Sequence, residues 1–153
     1  MVGLADVQLG ITLQQSNYKE PEEWTSEPSI KPQTKMFRSP DFYGYFTASI
    51  NICEDVKANV FGKYTGKMLV QHYAGYIEKD TEATTPAFFD MGFKLNYGFQ
   101  LNNSIRTTLG LGIKNMLNQY QNDLDIGKLK DASYIYGPAL PRTFFMELKF
   151  DVM

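Results

Sequence analysis

Apolar and polar residues alternate along six stretches of the chain. The stretches cover residues 5–13, 42–53, 56–70, 89–101, 105–113 and 144–150. In each, one set of alternate positions is mainly apolar, and the other carries mostly Lys, Asn, Thr, Asp and Gly; Phe61 is the large exception, on the polar side. A period of two places the apolar set on one face of an extended strand. The pattern therefore predicts an all-β chain of about six strands without a convincing helix.

Two kinds of connection alternate strictly along the predicted strands. Short polar turns lie at 54–55 and 102–104, whereas the connections at roughly 14–40, 71–87 and 115–141 are long and hold most of the prolines. An antiparallel up-and-down meander then has all its long loops at one end and all its turns at the other. That arrangement is typical of bacterial outer-membrane barrels, whereas a β-sandwich mixes loop lengths at both ends.

The two faces of the strands favour a membrane barrel over a soluble one. In a lipocalin-like barrel the apolar face points inward around a ligand, whereas in a membrane barrel it meets lipid. Glycines at 10, 92, 98, 110 and 112 on the polar face suit a crowded lumen. Aromatic residues near strand ends suit interfacial girdles, namely Phe42, Tyr43, Phe89, Tyr97 and Phe144. The strands are expected to exceed the roughly 9–11 residues that a bilayer needs and to project beyond it.

Composition excludes several classes of protein. The 15 basic and 17 acidic residues give a net charge of −2, which argues against a nucleic-acid partner. A single cysteine, Cys53, excludes a disulfide framework and a multi-cysteine metal site. No nucleophile–base pair, paired-carboxylate motif or phosphate loop is visible, so neither an enzyme nor a cofactor is expected. The N-terminus shows no export signal.

Four segments of the chain resemble, in order and spacing, the C-terminal barrel strands of TonB-dependent outer-membrane receptors. Residues 39–44 (SPDFYG) and 64–68 (YTGKM) resemble "SPxxxG" and "YTGxM" segments. Residues 110–121 (GLGIKNMLNQYQ) resemble "GxxNLFNxxY", and 134–138 with 141–145 resemble "YxYGPxxPRTxxxG". The matching motif residues are Asn115, Asn118, Tyr136, Gly137, Pro138, Pro141 and Arg142. The resemblance covers roughly residues 36–150 and is closest in character to Bacteroides-like receptors for cobalamin or ferric siderophores.

The resemblance implies a plugged barrel of about 22 strands in the bacterial outer membrane. It also implies import of a scarce nutrient (ferric siderophore, haem or cobalamin) with energy from TonB. Residues 1–153 would be its last strands and extracellular loops, with the plug and earlier strands absent, as in a fragment or truncated frame. The implied partners are the plug and remaining strands, TonB through the plug, membrane lipids, and the barrel assembly machinery. That machinery would read the last strand, in which residues 151–153 stand where a terminal Phe is usual.

Two sets of residues are candidate functional residues, one for substrate contact and one for the wall of the lumen. Flat aromatic rings in the long loops offer large contact areas at low entropic cost, and they are Tyr18, Trp24, Tyr73, Tyr76, Tyr120 and Tyr134. Basic residues on the polar face are expected to line the lumen, where they guide anionic chelates or pair with a plug; they are Lys57, Lys63, Lys67, Lys94 and Arg106. His72 is expected to be an ordinary loop residue, and residues 123–127 resemble only the opening of a calcium loop.

Two other hypotheses stay open at the level of sequence. The first is a small soluble β-barrel or sandwich that binds an apolar ligand, and it would need no detergent. The second, less supported, is a subunit whose strands join those of other copies in a shared barrel.

Overall fold

The computed structural model describes residues 5–152, and this range forms strands and no helix. The strands are β1 Ala5–Leu13, β2 Asn17–Glu22, β3 Gln33–Lys35, β4 Phe42–Asn51, β5 Val56–Thr65, β6 Leu69–His72, β7 Thr81–Thr84, β8 Phe88–Asn102, β9 Ile105–Lys114 and β10 Thr143–Val152. A helix long and apolar enough to cross a membrane is absent from the described part of the chain. The predicted all-β class is confirmed.

Six strands form one antiparallel sheet in the order β1-β4-β5-β8-β9-β10. Each pairs with the next long strand along the chain, so the sheet is an up-and-down meander. Turns at 52–55 and 103–104 join strands at one end, and connections at 14–41, 66–87 and 115–142 do so at the other. The predicted alternation of short and long connections is confirmed. The sequence analysis missed two small sheets within the long connections, β2-β3 and β6-β7.

The register of the sheet keeps like positions together from edge to edge. One row across all six strands is apolar: Val7, Ala48, Val60, Phe93, Ile113 and Phe144. The adjacent row on the other face is mainly polar: Asp6, Ser49, Asn59, Lys94, Gly112 and Phe145. A slip of one residue between neighbours would exchange the two faces. The sheet therefore has one apolar and one polar face.

The strand lengths differ from those of the sequence pattern: β4 and β5 are shorter than their stretches, whereas β8 and β10 are longer. Five of the six strands in the main sheet have 9 or 10 residues, and only β8, with 15, is longer. The expectation that they exceed the bilayer requirement of roughly 9–11 residues is therefore wrong for five of them. β8 is long because β5 pairs with residues 88–97 and β9 with residues 93–102. Such a stagger accompanies the tilt of strands in barrels.

The third predicted strand, 56–70, is divided in two. β5 ends at Thr65, and the Gly66 N–H donates to the Phe42 carbonyl at 2.9 Å before the chain leaves the sheet. Met68 then pairs with Thr85, donating to its hydroxyl at 3.1 Å and accepting from its N–H at 2.9 Å. The alternation of apolar and polar residues continues through this break because β6 is also a strand. Lys67 therefore lies between two strands and not on the polar face of the sheet.

Aromatic rings on the polar face lie over glycines of the neighbouring strand. Phe61 faces Gly92, where a Cβ would stand 2.4 Å from the ring. Two further pairs repeat this arrangement: Tyr45 over Gly10 and Phe145 over Gly112. The glycines leave room for the rings, and the rings cover the strand where a side chain is missing. Phe61 thus fits the polar face without breaking the register.

β1 and β10 are the two edges of the sheet and do not pair with each other. Their apolar side chains are exposed, with Leu9 at 71% and Phe144 at 77%. The apolar face is therefore largely uncovered by the rest of residues 5–152.

Candidate functional site

The three long connections pack together at one end of the sheet into a unit termed the loop cap, residues 14–41, 66–87 and 115–142. Its core is formed by Met68, Val70 and Tyr134, with Ala83 and Tyr136 packed against them. Val70 is fully buried, and Tyr134 is only 5% exposed. Because these residues come from the second and third connections, the core holds the two loops together.

Trp24 joins the first connection to the second. Its Nε1 donates to Glu82 at 2.9 Å, and Gln33 donates to the other oxygen of that carboxylate at 2.8 Å. Its ring also meets the rings of Phe37 and Tyr73 edge-on, with centroids 5.9 and 5.3 Å away. The structure therefore brings together two of the predicted substrate contacts, Trp24 and Tyr73, and packs them against each other.

His72 joins the second connection to the third. Its Nε2 lies 2.9 and 3.0 Å from the two carboxylate oxygens of Asp125, and both side chains are almost fully buried. The imidazole stacks on Tyr134, with ring centroids 3.6 Å apart. The backbone N–H of Asp131 donates to the same carboxylate at 2.9 Å. Within residues 5–152, no group of three or more His, Cys, Asp or Glu is placed to hold a metal ion.

Asp123 accepts hydrogen bonds from the hydroxyls of Tyr136 at 2.6 Å and Tyr134 at 3.1 Å. Burial raises the pKa of Asp123, but hydrogen bonds from these tyrosines and Gln121 outweigh it, so the pKa lies below its usual value. Burial and the adjacent carboxylate raise the pKa of Tyr134 to about 12, and the same causes raise the pKa of Tyr136. At neutral pH both phenols are thus protonated donors to an ionised carboxylate.

Two of the residues that carry the family resemblance shape the start of the third connection. Asn115 and Asn118 have φ angles of 47° and 54°, in the left-handed region that Asn tolerates better than most residues. The buried Asn115 side chain donates to the carbonyls of Gln119 at 2.8 Å and Leu140 at 2.9 Å. It thereby links the beginning and the end of this loop.

The other motif residues lie at the end of the same connection. Arg142 donates from its N–H to the Asn118 side chain at 2.9 Å and from its Nε to the Met116 carbonyl at 3.0 Å. Gly137 lies so close to Phe88 that a Cβ there would be 2.7 Å from the ring. The two prolines accept hydrogen bonds at their carbonyls, Pro138 from Gln121 and Pro141 from Thr143. The motif residues therefore hold the loop in shape.

The six aromatic residues predicted to contact substrate differ in exposure. Tyr73, Tyr76 and Tyr120 are 40%, 50% and 47% exposed, whereas Tyr18 and Trp24 are half-buried. Tyr134 is buried against His72 in the core of the loop cap. Substrate contact by these residues stays a prediction, and the structure gives Tyr134 a packing role.

Of the five basic residues predicted to line the lumen, four lie on the polar face of the sheet. They are Lys57 and Lys63 in β5, Lys94 in β8 and Arg106 in β9. Two of them are paired, Lys94 with Glu147 at 2.8 Å and Arg106 with Asp55 at 3.1 Å. Lys67, as noted, belongs to the loop cap. That the polar face lines a lumen stays a prediction.

A pocket of about 400 Å³ lies where the polar face meets the loop cap. The groups that give it its character are Arg38, Lys63, Thr65, Phe88, Asp90 and Tyr136. An adjoining pocket of about 310 Å³ shares Arg38 and Lys63 and is bordered by Tyr43. Tyr43, expected in an aromatic girdle, thus lies on the polar face.

Arg38 is the basic residue of this pocket that was not predicted from the sequence. Its φ is 58°, its N–H donates to the Leu69 carbonyl at 2.8 Å, and its guanidinium donates to the carbonyls of Ser133 and Ile135. It therefore connects all three long connections. The only signal in the sequence is its position directly before the SPDFYG segment.

Comparison with solved structures finds one from Escherichia coli K12, the ferric-catecholate import receptor Fiu in its closed form. The TM-score is 0.64 at 18% identity, and the match covers 97% of this chain and 19% of Fiu. The chain has the fold of a β-barrel receptor segment. It spans about a fifth of the receptor that it matches. No protein-family model matches the chain, and a search of curated proteins finds no match.

Proposed function

We propose that the chain is the C-terminal barrel segment of a TonB-dependent outer-membrane receptor that imports a scarce nutrient such as a ferric siderophore, haem or cobalamin. The observation that carries the proposal is the six-stranded sheet with one continuous, uncovered apolar face. The likeness of its fold to part of a ferric-catecholate import receptor supports the nutrient class.

The apolar face has the pattern of a lipid-facing surface. Aromatic residues lie near the loop end of this face (Phe42, Tyr64, Phe89 and Phe144) and near the turn end (Tyr97, Phe99 and Phe150). Between them lie mainly aliphatic residues, such as Val60, Leu95 and Leu111, together with Phe46 and Phe93. Transmembrane barrels carry such aromatic girdles at both interfaces. The face therefore matches a bilayer better than a protein core.

The two edge strands imply further strands beside this sheet. Backbone groups along β1 and β10 have no sheet partner on their outer sides within the described residues. Unsatisfied N–H and C=O groups cost several kcal/mol each in hydrocarbon, about 2–7 on common scales, so a membrane sheet closes into a barrel. The partners that follow are the remaining strands, a plug, the assembly machinery at β10, TonB through the plug, and outer-membrane lipids.

The loop cap is the part that meets the substrate in this proposal. No bond is made or broken in the substrate; the loops bind it, and the plug moves when TonB pulls. The alternative, a small soluble barrel around an apolar ligand, would need the apolar face turned inward and closed. Within residues 5–152 the edge strands stay apart, and that face is open.

The experiment is an immunoblot of host-cell fractions with an antibody against the 119–133 loop. We expect one band, several-fold above 17.5 kDa, in the outer membrane. Deleting the gene should then abolish uptake of one iron chelate or cobalamin and leave the others intact. A band at 17.5 kDa in the soluble fraction would contradict the proposal and favour the soluble barrel.

A further inference from the structure

The pocket between the polar face and the loop cap has the chemistry of an anion site. We propose that it binds an oxyanionic group of a ligand, such as a carboxylate, a phosphate or a deprotonated catechol, through Arg38 and Lys63. The inference rests on the proposed function for the origin of the ligand, whereas the chemistry of the pocket stands on the residues that line it.

The charges in the pocket sum to a positive value. Arg38 and Lys63 are basic, and Asp90 is the one acidic residue in the lining. Asp90 lies directly opposite Lys63 in the register of β5 and β8, yet Lys63 forms no salt bridge with any described residue. An ammonium group without a partner beside a cavity attracts an anion. Asp90 weakens that attraction, so removing its negative charge should strengthen the binding of an anion.

Arg38 retains donors for a ligand. One N–H of each terminal nitrogen is directed to a carbonyl, that of Ile135 for Nη1 and that of Ser133 for Nη2. The remaining N–H groups of the guanidinium have no partner among the described residues, and a charged oxygen accepts more strongly than a neutral carbonyl. The positive φ of Arg38 shows a backbone held in a sparsely populated region, as at many binding sites.

The size of the cavity also fits an organic ligand. The two adjoining pockets measure about 400 and 310 Å³ and share Arg38 and Lys63. Known small-molecule sites span roughly 300–1,000 Å³. Aromatic rings border both pockets, Phe88 and Tyr136 in one and Tyr43 in the other. A ring-bearing anion would place its charge between the two basic groups.

The test is binding to the protein at the length its host produces, purified in detergent at low salt. Isothermal titration uses three probes: citrate, 2,3-dihydroxybenzoate and inorganic phosphate. We expect Lys63→Gln and Arg38→Gln to weaken binding about tenfold, and Asp90→Asn to strengthen it by a similar factor, because each changes one nearby charge. Lys149→Gln is the matched control: it removes a lysine from the same polar face, near the turn end of β10, and should change nothing.

The three probes distinguish the source of the oxyanion. Binding of citrate and dihydroxybenzoate with this pattern of variants, and not of phosphate, identifies an organic chelate. Binding of phosphate with the same pattern supports the site with a phosphate-bearing ligand. Failure of all probes to bind, or equal effects of Lys63→Gln and Lys149→Gln, overturns the inference.

Lys63→Gln and Asp90→Asn keep the test decisive if Arg38→Gln disturbs the loops, since neither side chain holds the loop cap. The titration is also independent of the immunoblot. If the protein is found in the outer membrane but its affinities are unchanged by these substitutions, the proposed function stands and the anion site does not. If the protein is soluble and its affinities change as expected, the anion site stands and the proposed function does not.

Discussion

In the main sheet, apolar side chains such as Leu9 and Phe144 are exposed along one face, whereas in the loop cap Val70 and Tyr134 are buried. The loop cap thus carries its own hydrophobic core, and the sheet does not cover its apolar face within residues 5–152. The two regions therefore depend on different surroundings. The loop cap is stabilised by contacts within the chain, and the sheet by a medium or partner outside the described residues.

Polar groups show the same contrast. In the loop cap, His72 and Asp125 are buried and paired, and losing one partner of a buried pair is costly. On the polar face of the sheet, the Arg106–Asp55 pair is exposed and the Lys94–Glu147 pair is partly exposed. Exposed ion pairs contribute about 0–1 kcal/mol. Substitutions of single polar residues should therefore affect the loop cap more than the sheet.

The largest expected effect comes from His72→Leu. It leaves the nearly fully buried Asp125 carboxylate with the Asp131 N–H as its one remaining hydrogen-bond donor among residues 5–152. We expect the loop cap to lose about 3–5 kcal/mol of local stability, measured by hydrogen exchange of residues 69–72 and 121–136. The double variant His72→Leu with Asp125→Leu should recover much of this loss. If the double variant exchanges as fast as His72→Leu alone, the His72–Asp125 pair does not hold the two connections together.

The next largest effect tests the apolar face. Leu95→Arg places a charge on it, and Asn96→Arg places the same charge on the opposite face of the same strand. In lipid vesicles, Leu95→Arg should lower the free energy of unfolding by about 2–4 kcal/mol, as charges near the middle of a bilayer do. Asn96→Arg should lower it by less than about 1 kcal/mol, as for a substitution on a protein surface. Urea unfolding in vesicles measures both. Similar costs would show that the two faces do not have different surroundings.

A smaller effect is expected from Gly92→Ala in the sheet. The new methyl group would stand 2.4 Å from the Phe61 ring, so we expect a loss of about 1–3 kcal/mol, typical of overpacking. Adding Phe61→Leu should relieve the clash and restore part of the stability. Gly127→Ser in the loop cap is the comparison. No atom lies within 4 Å of the position that a Cβ would take there, but the φ of Gly127 is 83°, so this substitution strains the backbone without a clash. Should Gly92→Ala be neutral, the ring does not cover that glycine.

The smallest effect is alkaline loosening of the loop cap. The pKa of Tyr134 is raised by burial and by Asp123 from 10.0 to about 12. Its contribution to stability is therefore fully present below pH 10 and is lost as the pH rises towards 12. Hydrogen exchange or proteolysis of the 121–136 segment across this range measures the loss. Tyr134→Phe should remove this component, and an unchanged alkaline transition in that variant would assign it to other groups.

The sheet follows from the sequence because its signal is local. Alternation in each stretch, together with the alternation of short and long connections, was enough to predict six strands, their order and their two faces. The pattern failed at residues 66–70, where it continues past a strand end because β6 repeats the same period, and it did not indicate the two small sheets. The lengths of β4 and β5 were overestimated for the same reason, since alternation does not show where pairing stops.

The loop cap could not be predicted in the same way. His72 and Asp125 are 53 residues apart, and Arg38 lies 95 residues from Ser133. No period or motif marks such contacts, which depend on how the loops fold over one another. The family resemblance marked Asn115, Asn118 and Arg142 as motif residues but did not indicate what they do. The structure shows that these residues fix the shape of the third connection.

Spin-label accessibility in the native membrane reports directly whether each face of the sheet meets lipid or water. Spin labels at Met146 and Glu147, adjacent residues on opposite faces of β10, are compared after Cys53→Ser removes the exposed native thiol. We expect the label at Met146 to collide mainly with oxygen, which concentrates in lipid, and the label at Glu147 with a water-soluble nickel complex. Equal access of the nickel complex to both labels, or the reverse preference, would contradict a lipid-facing apolar surface.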